Sequence, residues 1–178
     1  VFEVNIEGGI AAMDMEGDTL WCVPYEGTVV TCWNIKQDEF QTYDVGVEGF
    51  KCVQRKLGQE CNKTPFCRPA FYGEQVILSP NWGNKFVCID RQTGETKEWD
   101  SPVKVTMKSE NGYFTSGCGG YFIGSITDTL GKYFDAVNRK LYEIDMSTKE
   151  CREIPIVFDK RELEQHETGF AEASQWLQ

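Results

Sequence analysis

The chain has 178 residues, of which 40% are hydrophobic and 26% are charged, and its formal net charge is −10. This composition is typical of one globular domain with a buried core, and so acidic a surface repels nucleic acid and anionic lipid. No apolar run approaches the roughly 20 residues that span a bilayer, so the sequence excludes a membrane helix.

The N-terminal segment VFEVNIEGG has neither the basic nor the apolar region of a signal peptide. The eight cysteines include no CxxC pair, so a zinc ribbon is not indicated. Cys22, Cys32 and Cys88 fall in apolar runs, where a free thiol packs as a small hydrophobe, and this favours a reducing compartment. We therefore expect a cytoplasmic protein, or a secreted one if a signal peptide has been removed, with no metal and no cofactor.

The stretch DMEGD (residues 14–18) is the first candidate site along the chain. Asp14, Glu16 and Asp18 alternate as the ligands of a calcium loop do, but the later bidentate glutamate of such a loop is missing. We interpret the stretch as a turn between two strands.

Residues 17–44 are the first copy of an internal repeat. GDTLWCVPYEGTVVTCWNIKQDEFQTYD aligns without a gap on GEQVILSPNWGNKFVCIDRQTGETKEWD (residues 73–100), and six of the 28 positions are identical. A third copy follows at an offset of 55, where Ile144-Asp145 lies over Ile89-Asp90, with a longer loop expected near residues 126–138. The repeat units cover about residues 17–56, 73–108 and 120–158. A fixed period of this size is typical of repeat architectures.

Each unit is predicted to form three strands joined by two turns, with hydrophobicity falling from the first strand to the third. The first strand is apolar on both faces, as Leu20 and Cys22 alternate with Trp21 and Val23. The last turn begins with a residue that can bond its own backbone, which is Asp90 in the second unit and Asn34 or Asp145 in the others. Gly94 can take a positive φ at the end of that turn. Asp38 and Lys149 stand at its position in the other two units.

The loops after the first strands, PYEG and PNWG, carry the ligand-binding candidates Tyr25, Glu26, Trp82 and Asn84. Loops at one end of a repeat array commonly carry binding function. The aromatic rings could stack on a sugar while the polar groups bond its hydroxyls. The alternative is that these aromatic rings simply pack in the core.

The remaining reactive residues are isolated. Cys61 and Cys67 are the one local pair that could form a disulfide, although we expect them to be reduced. Asn62 fits a glycosylation acceptor pattern but is interpreted as part of an ordinary loop. Cys118, in SGCGGYF, could be an exposed nucleophile, but a glycine-rich turn entering a strand is the simpler interpretation. His166, the only histidine, is the last residue of a predicted short surface helix over residues 159–166 and is interpreted as solvated.

The phrases VCIDRQTGETKEW and YEIDMSTKECREI resemble the repeats of quinoprotein-like and kelch-like β-propellers. The resemblance implies an all-β, propeller-like array of antiparallel four-stranded blades in which the first strand lines a central channel and the last faces solvent. We expect three to four blades and a short C-terminal helix. A sandwich with duplicated strands is the alternative fold.

Closed propellers usually have four to eight blades, so a little over three units requires an explanation. The chain is a piece of a larger propeller, or closes a four-bladed ring with residues 2–15 and its C-terminal segment, or associates with another copy of itself.

The expected function is a non-catalytic recognition or scaffold module that binds a glycan or a protein through loops at one end of the blades. The alternative is a propeller-type hydrolase or lyase with acidic residues at the channel mouth. No catalytic residue is assigned, and neither nucleic acid nor membrane is expected as a partner.

Overall fold

The computed structural model describes residues 6, 9–46, 66–80, 85–103, 120–135 and 138–157, and every helix or strand among them is a β-strand. This part of the chain is therefore all-β, as predicted. The helix predicted over residues 159–166 lies outside the described residues. The strands are β1 (Ile10–Glu16), β2 (Thr19–Pro24), β3 (Val29–Asn34), β4 (Glu39–Asp44), β5 (Phe66–Tyr72), β6 (Gln75–Pro80), β7 (Lys85–Asp90), β8 (Thr96–Asp100), β9 (Gly120–Phe122), β10 (Leu130–Asp135), β11 (Lys140–Asp145) and β12 (Cys151–Ile154).

The strands form three antiparallel sheets of four, each with its strands in chain order: sheet I is β1–β4, sheet II is β5–β8 and sheet III is β9–β12. The first strands of successive sheets are in contact, β1 with β5 and β5 with β9. The fourth strands, β4, β8 and β12, are largely exposed. Sheets that meet at their first strands and present their last strands to solvent form the blade-like array that the repeat predicts.

Sheet II is buried on both faces because side chains alternate along its two middle strands. One face packs against sheet I in a cluster that includes Val76, Leu78, Val87 and Ile89, and none of these four is accessible to solvent. The opposite face packs against sheet III through Ile77 and Phe86, which are also fully buried. The hydrophobic core therefore consists of two layers, one between each pair of neighbouring sheets.

Ile89 and Ile144, which are equivalent in the repeat, occupy equivalent surroundings. Ile89 belongs to the layer between sheets I and II, and Ile144 to the layer between sheets II and III. Each therefore packs toward the sheet that precedes it in the chain. Trp33, the counterpart of both in sheet I, is 8% exposed on the face that points away from sheet II. The prediction that three similar sheets lie side by side and shield one another is confirmed.

In sheets I and II, the first strand (β1 or β5) was not predicted as part of the repeat unit, and the three strands expected in the unit are the second, third and fourth of the sheet. In sheet III, β9 lies at the start of the predicted unit 120–158. Pro69 lies inside β5, and a proline ordinarily argues against a strand. β5 accommodates it because β5 has a register shift between Phe66 and Pro69, and β1 has the equivalent irregularity between Ile10 and Ala12.

Two further expectations about the chain ends and loops were wrong. β1 pairs with β2, so residues 10–15 belong to sheet I and not to a fourth blade. The loop expected near residues 126–138 contains β10, which pairs with both β9 and β11. The extra residues of the third unit lie instead between β9 and β10, at 123–129, because β10 keeps the repeat spacing relative to β6.

Candidate functional site

Tyr25 and Glu26 lie in the loop between β2 and β3, as predicted from the sequence. The backbone N–H of Tyr25 donates to the carbonyl of Gly9 at 3.0 Å, which ties this loop to the start of β1. The Tyr25 side chain is 43% exposed. Trp82 and Asn84, the other two candidates, lie outside the described residues. The loop therefore presents an aromatic ring beside a carboxylate at one end of sheet I.

A cavity of about 350 Å³ lies where the first strands of the three sheets meet. It is lined from β1 by Asp14, from β5 by Arg68 and from the β9 region by Tyr121 and Ser125. Arg68 donates from Nε to the Asp14 carboxylate at 2.7 Å and so links sheet I to sheet II. This hydrogen bond holds the pKa of Asp14 below its usual value, although partial burial opposes it. Asp14 is consequently ionised at neutral pH and is not a general acid.

In the acidic stretch at residues 14–18, Asp14 and Glu16 lie at the end of β1 and residues 17 and 18 form the turn to β2, and all three carboxylates form ion pairs. Gly17 has a φ of 57° in the turn between β1 and β2, which suits glycine. Glu16 accepts a hydrogen bond from Arg91 of sheet II, and Asp18 pairs with Lys36 at 2.7 Å. Within the ranges that the structure describes, no cluster of His, Cys, Asp or Glu could hold a metal ion. The predicted turn between two strands is confirmed at residues 17 and 18, whereas Asp14 and Glu16 belong to β1.

A second cavity of about 350 Å³ lies between sheets I and II and is lined by Trp21, Cys32, Tyr43 and Arg91 among others. The Trp21 and Tyr43 rings stack with their centroids 5.5 Å apart. Burial raises the pKa of the Cys32 thiol, and burial likewise raises the pKa of the Tyr43 hydroxyl. A buried thiol in its protonated form is a poor nucleophile, so this cavity has the character of a packing defect between two sheets rather than of a reaction site.

Three carboxylates outside these two cavities also have lowered pKa values, each because hydrogen bonds favour the ionised form. Asp44 accepts a hydrogen bond from the Thr28 hydroxyl at 2.7 Å. Asp90 accepts from the backbone of Thr93, and Asp145 from the side chain of Ser147. These carboxylates stabilise turns and hairpins and do not retain a proton at neutral pH, as a general acid would have to.

Sheet I has an apolar outer face on the side away from sheet II. Val30 and Cys32 point toward sheet II, so their neighbours Thr31 and Trp33 point outward, as do Leu20 and Cys22, which are opposite them in β2. The exposed members of this face are Met13 (58%), Met15 (48%), Val29 (46%) and Phe40 (50%). The Phe40 and Trp33 rings stack with their centroids 5.5 Å apart. The sequence pattern predicted that side chains alternate between the two faces of these strands. It did not predict that, among the described residues, no sheet packs on this face.

The reactive residues singled out in the sequence fall both inside and outside the described ranges. Cys61, Asn62, Cys118 and His166 lie outside the described residues. Cys67 has a free thiol, whose pKa is raised to about 11 by burial. β9 begins at Gly120, which fits a glycine-rich segment that enters a strand.

The comparisons with known proteins leave the family open. No protein-family model matches the chain, and no curated protein sequence matches it. Among solved structures, the chain is similar to a catalytically inactive virginiamycin B lyase from Staphylococcus aureus, determined with quinupristin. The two are 14% identical, the match covers 89% of this chain and 74% of that chain, and the TM-score is 0.29. These values carry no argument about activity, so the assignment of the fold rests on the three sheets.

Within the described part of the chain, no helix is long and apolar enough to cross a bilayer.

Proposed function

We propose that this protein is a non-catalytic recognition module built from propeller-type blades, and that its loops at one end of the blades bind a glycan. The observation that carries the proposal is the exposed ring of Tyr25 beside Glu26, in the loop between β2 and β3. An aromatic ring offers a flat apolar surface to a sugar, and a carboxylate accepts hydrogen bonds from its hydroxyls. The equivalent loop of the second unit adds Trp82 and Asn84 as further candidates.

The groups around the two cavities favour binding over catalysis. Asp14 is paired with Arg68, and the Cys32 thiol is kept protonated by burial. Neither supplies the proton donor or the activated nucleophile that a hydrolase or lyase needs. The exposed apolar side chains of sheet I also support a binding role, because exposed apolar patches mark interaction surfaces.

The rival proposal is a propeller-type hydrolase or lyase that works in the cavity between the first strands. Its only described acidic residue in that cavity is Asp14. If the rival is correct, Asp14→Asn abolishes a measurable turnover and Tyr25→Ala leaves it intact. If the recognition module is correct, Asp14→Asn leaves ligand binding unchanged.

A glycan array screened with the full chain tests the recognition proposal. We expect one class of glycan to bind, with at least a tenfold loss of affinity in Tyr25→Ala and in Trp82→Ala. Tyr121→Ala is the matched control, because this tyrosine is exposed to a similar extent (46%) but lies in β9. Absence of binding to every glycan on the array, or an equal loss in Tyr121→Ala, would refute the proposed loop site.

A further inference from the structure

We infer that the cavity between the first strands of the three sheets binds a small organic carboxylate, with its charged end on Arg68 and its apolar body against aromatic side chains. The volume of the cavity, about 350 Å³, lies within the range of small-molecule sites. Neither Tyr25 nor Glu26 lines this cavity, so the inference concerns a second site and does not depend on the glycan proposal.

The hydrogen-bonding groups that stay open at the Asp14–Arg68 pair are donors. One oxygen of Asp14 accepts the Arg68 Nε–H at 2.7 Å, and the other accepts the backbone N–H of Met15 at 2.9 Å. An arginine has five N–H groups, and Arg68 uses only the one on Nε among the described residues. Its side chain is 68% exposed, so the two Nη groups are accessible from solvent. A ligand that matches this arrangement supplies acceptor oxygens.

Charge and geometry select a carboxylate among such ligands. The planar guanidinium fork matches the two oxygens of a carboxylate and can donate to both at once. Among the described residues that line the cavity, Asp14 and Arg68 are the only charged ones, and the acidic member is already bound to the basic one. A dianion such as phosphate is repelled more strongly, because Asp14 and the net charge of −10 act on each of its charges.

The opposite side of the cavity is apolar and is built from both layers of the core. Phe71 packs against the layer between sheets I and II, and Phe122 and Ile126 pack against the layer between sheets II and III. The Phe122 ring lies 5.6 Å from the Tyr133 ring and 5.9 Å from the Phe86 ring between centroids, so the core holds it in position. A wall that is held in position before binding loses little entropy when a ligand arrives.

Tyr121 adds an aromatic ring that is open to solvent. The ring is 46% exposed and meets Phe134 edge-on, with the centroids 6.1 Å apart. Tyr121 lines the same cavity as Arg68. An aromatic carboxylate therefore fits both parts of the site, since its charged end matches the guanidinium and its ring matches the aromatic side chains.

NMR titration of the full, ¹⁵N-labelled chain with benzoate at constant ionic strength tests the inference. We expect the Arg68 Nε–H signal to shift in a saturable manner, with a dissociation constant in roughly the millimolar range for so small a ligand. Benzamide keeps the ring without the charge, and acetate keeps the charge without the ring. Each of them should bind at least fivefold more weakly than benzoate.

Two variants of the ion pair should change benzoate binding in opposite directions. Arg68→Met should weaken it at least fivefold, because the guanidinium is lost. Asp14→Asn should strengthen it at least twofold, because a like charge beside the ligand is removed. Arg152→Met is the matched control, since Arg152 is 76% exposed and pairs with Glu143 at 2.7 Å but does not line the cavity. Circular dichroism of each variant monitors folding.

Variants of the two tyrosines separate this site from the glycan loop. Tyr121→Ala should weaken benzoate binding at least threefold, whereas Tyr25→Ala should leave it unchanged. Absence of a saturable shift with benzoate would overturn the inference, as would equal affinities for benzoate and benzamide. A loss in Arg152→Met as large as in Arg68→Met, or weaker binding by Asp14→Asn, would also overturn it.

Discussion

Asp90 and Asp145 have the same role in consecutive sheets. Oδ1 of Asp90 accepts the backbone N–H groups of Gln92 and Thr93 at 3.0 and 2.9 Å, and Oδ1 of Asp145 accepts those of Ser147 and Thr148 at 2.8 and 3.1 Å. Asn34 makes the equivalent pair of hydrogen bonds in sheet I. The prediction that these three residues begin the turn after the third strand is confirmed, and five expectations follow from this and the other contacts of the fold.

Stability should decrease in acid because the turn carboxylates must stay ionised. Hydrogen bonds lower the pKa values of Asp90 and Asp145 in the folded chain. A lowered pKa adds stability above the unfolded value of about 3.9, and this stability is lost as the pH falls through the folded value. We expect a melting temperature that is steady between about pH 7 and 5 and falls below about pH 4.

The double variant Asp90→Asn/Asp145→Asn is the control for that expectation. An asparagine keeps the acceptor oxygen, as Asn34 shows, but does not titrate. Its melting temperature should depend less on pH below about pH 4 than that of the wild type. An identical acid profile would show that these carboxylates do not contribute.

Gly94→Ala should destabilise the second sheet through the backbone. Gly94 has a φ of 74°, and a Cβ there would meet only Tyr43 at 3.6 Å, an ordinary contact. The left-handed conformation costs an L-residue roughly 1–2 kcal/mol, which urea unfolding should detect. Gly94→Asn should cost less, since asparagine tolerates this conformation. If alanine and asparagine prove equally harmful, the backbone explanation fails.

Phe86 and Phe40 each stack on a tryptophan, Phe86 on Trp99 and Phe40 on Trp33, but they differ in burial. Phe86 is fully buried between sheets II and III, 5.1 Å from Trp99 and 5.0 Å from Tyr133 between ring centroids. Phe86→Ala should lower the free energy of unfolding by about 3–5 kcal/mol. Phe40→Ala, on the half-exposed outer face, should cost about 1 kcal/mol. Equal losses would place the two rings in equivalent environments and contradict the layered core.

The ion pair between Asp14 and Arg68 should couple sheets I and II only weakly. The Arg68 side chain is 68% exposed, so solvent and salt screen the attraction. A double-mutant cycle with Asp14→Asn and Arg68→Met should give a coupling of about 0.2–1 kcal/mol that declines with added salt. A coupling that salt does not change would indicate a buried pair instead.

Cysteine reactivity should follow exposure. Burial raises the pKa of Cys67 to about 11, so at pH 8 only about one thiol in a thousand is ionised. Cys151 is exposed, although burial of its thiol also raises its pKa. We expect iodoacetamide to alkylate Cys151 of the folded protein well before Cys67, as measured by peptide mass spectrometry. Faster labelling of Cys67 would show that β5 opens readily.

The amino-acid sequence by itself determined the features that depend on neighbouring residues. The alternation in β2 and β3 follows from a two-residue period, and the turns after Asn34, Asp90 and Asp145 follow from side chains that bond their own backbone. The position of Tyr25 in the loop after β2 was also predicted, because proline and glycine mark the ends of the apolar runs, but the exposure of its ring was left open. These interactions are encoded within a few residues, so one repeat unit suffices to predict them.

Only the tertiary structure decided which strands begin the sheets and which faces pack on another sheet among the described residues. β5 contains Pro69, although a proline is not expected inside a strand. The register shift next to Pro69 allows the strand to include it. Asp38 and Lys149 have φ values of 55° and 65°, because the hairpin imposes on them the conformation that Gly94 adopts freely. The ion pair joins Asp14 and Arg68, which are far apart in the chain. The outer face of sheet I is the face opposite the one that packs on sheet II. Such contacts arise from the packing of whole sheets, which a local pattern does not encode.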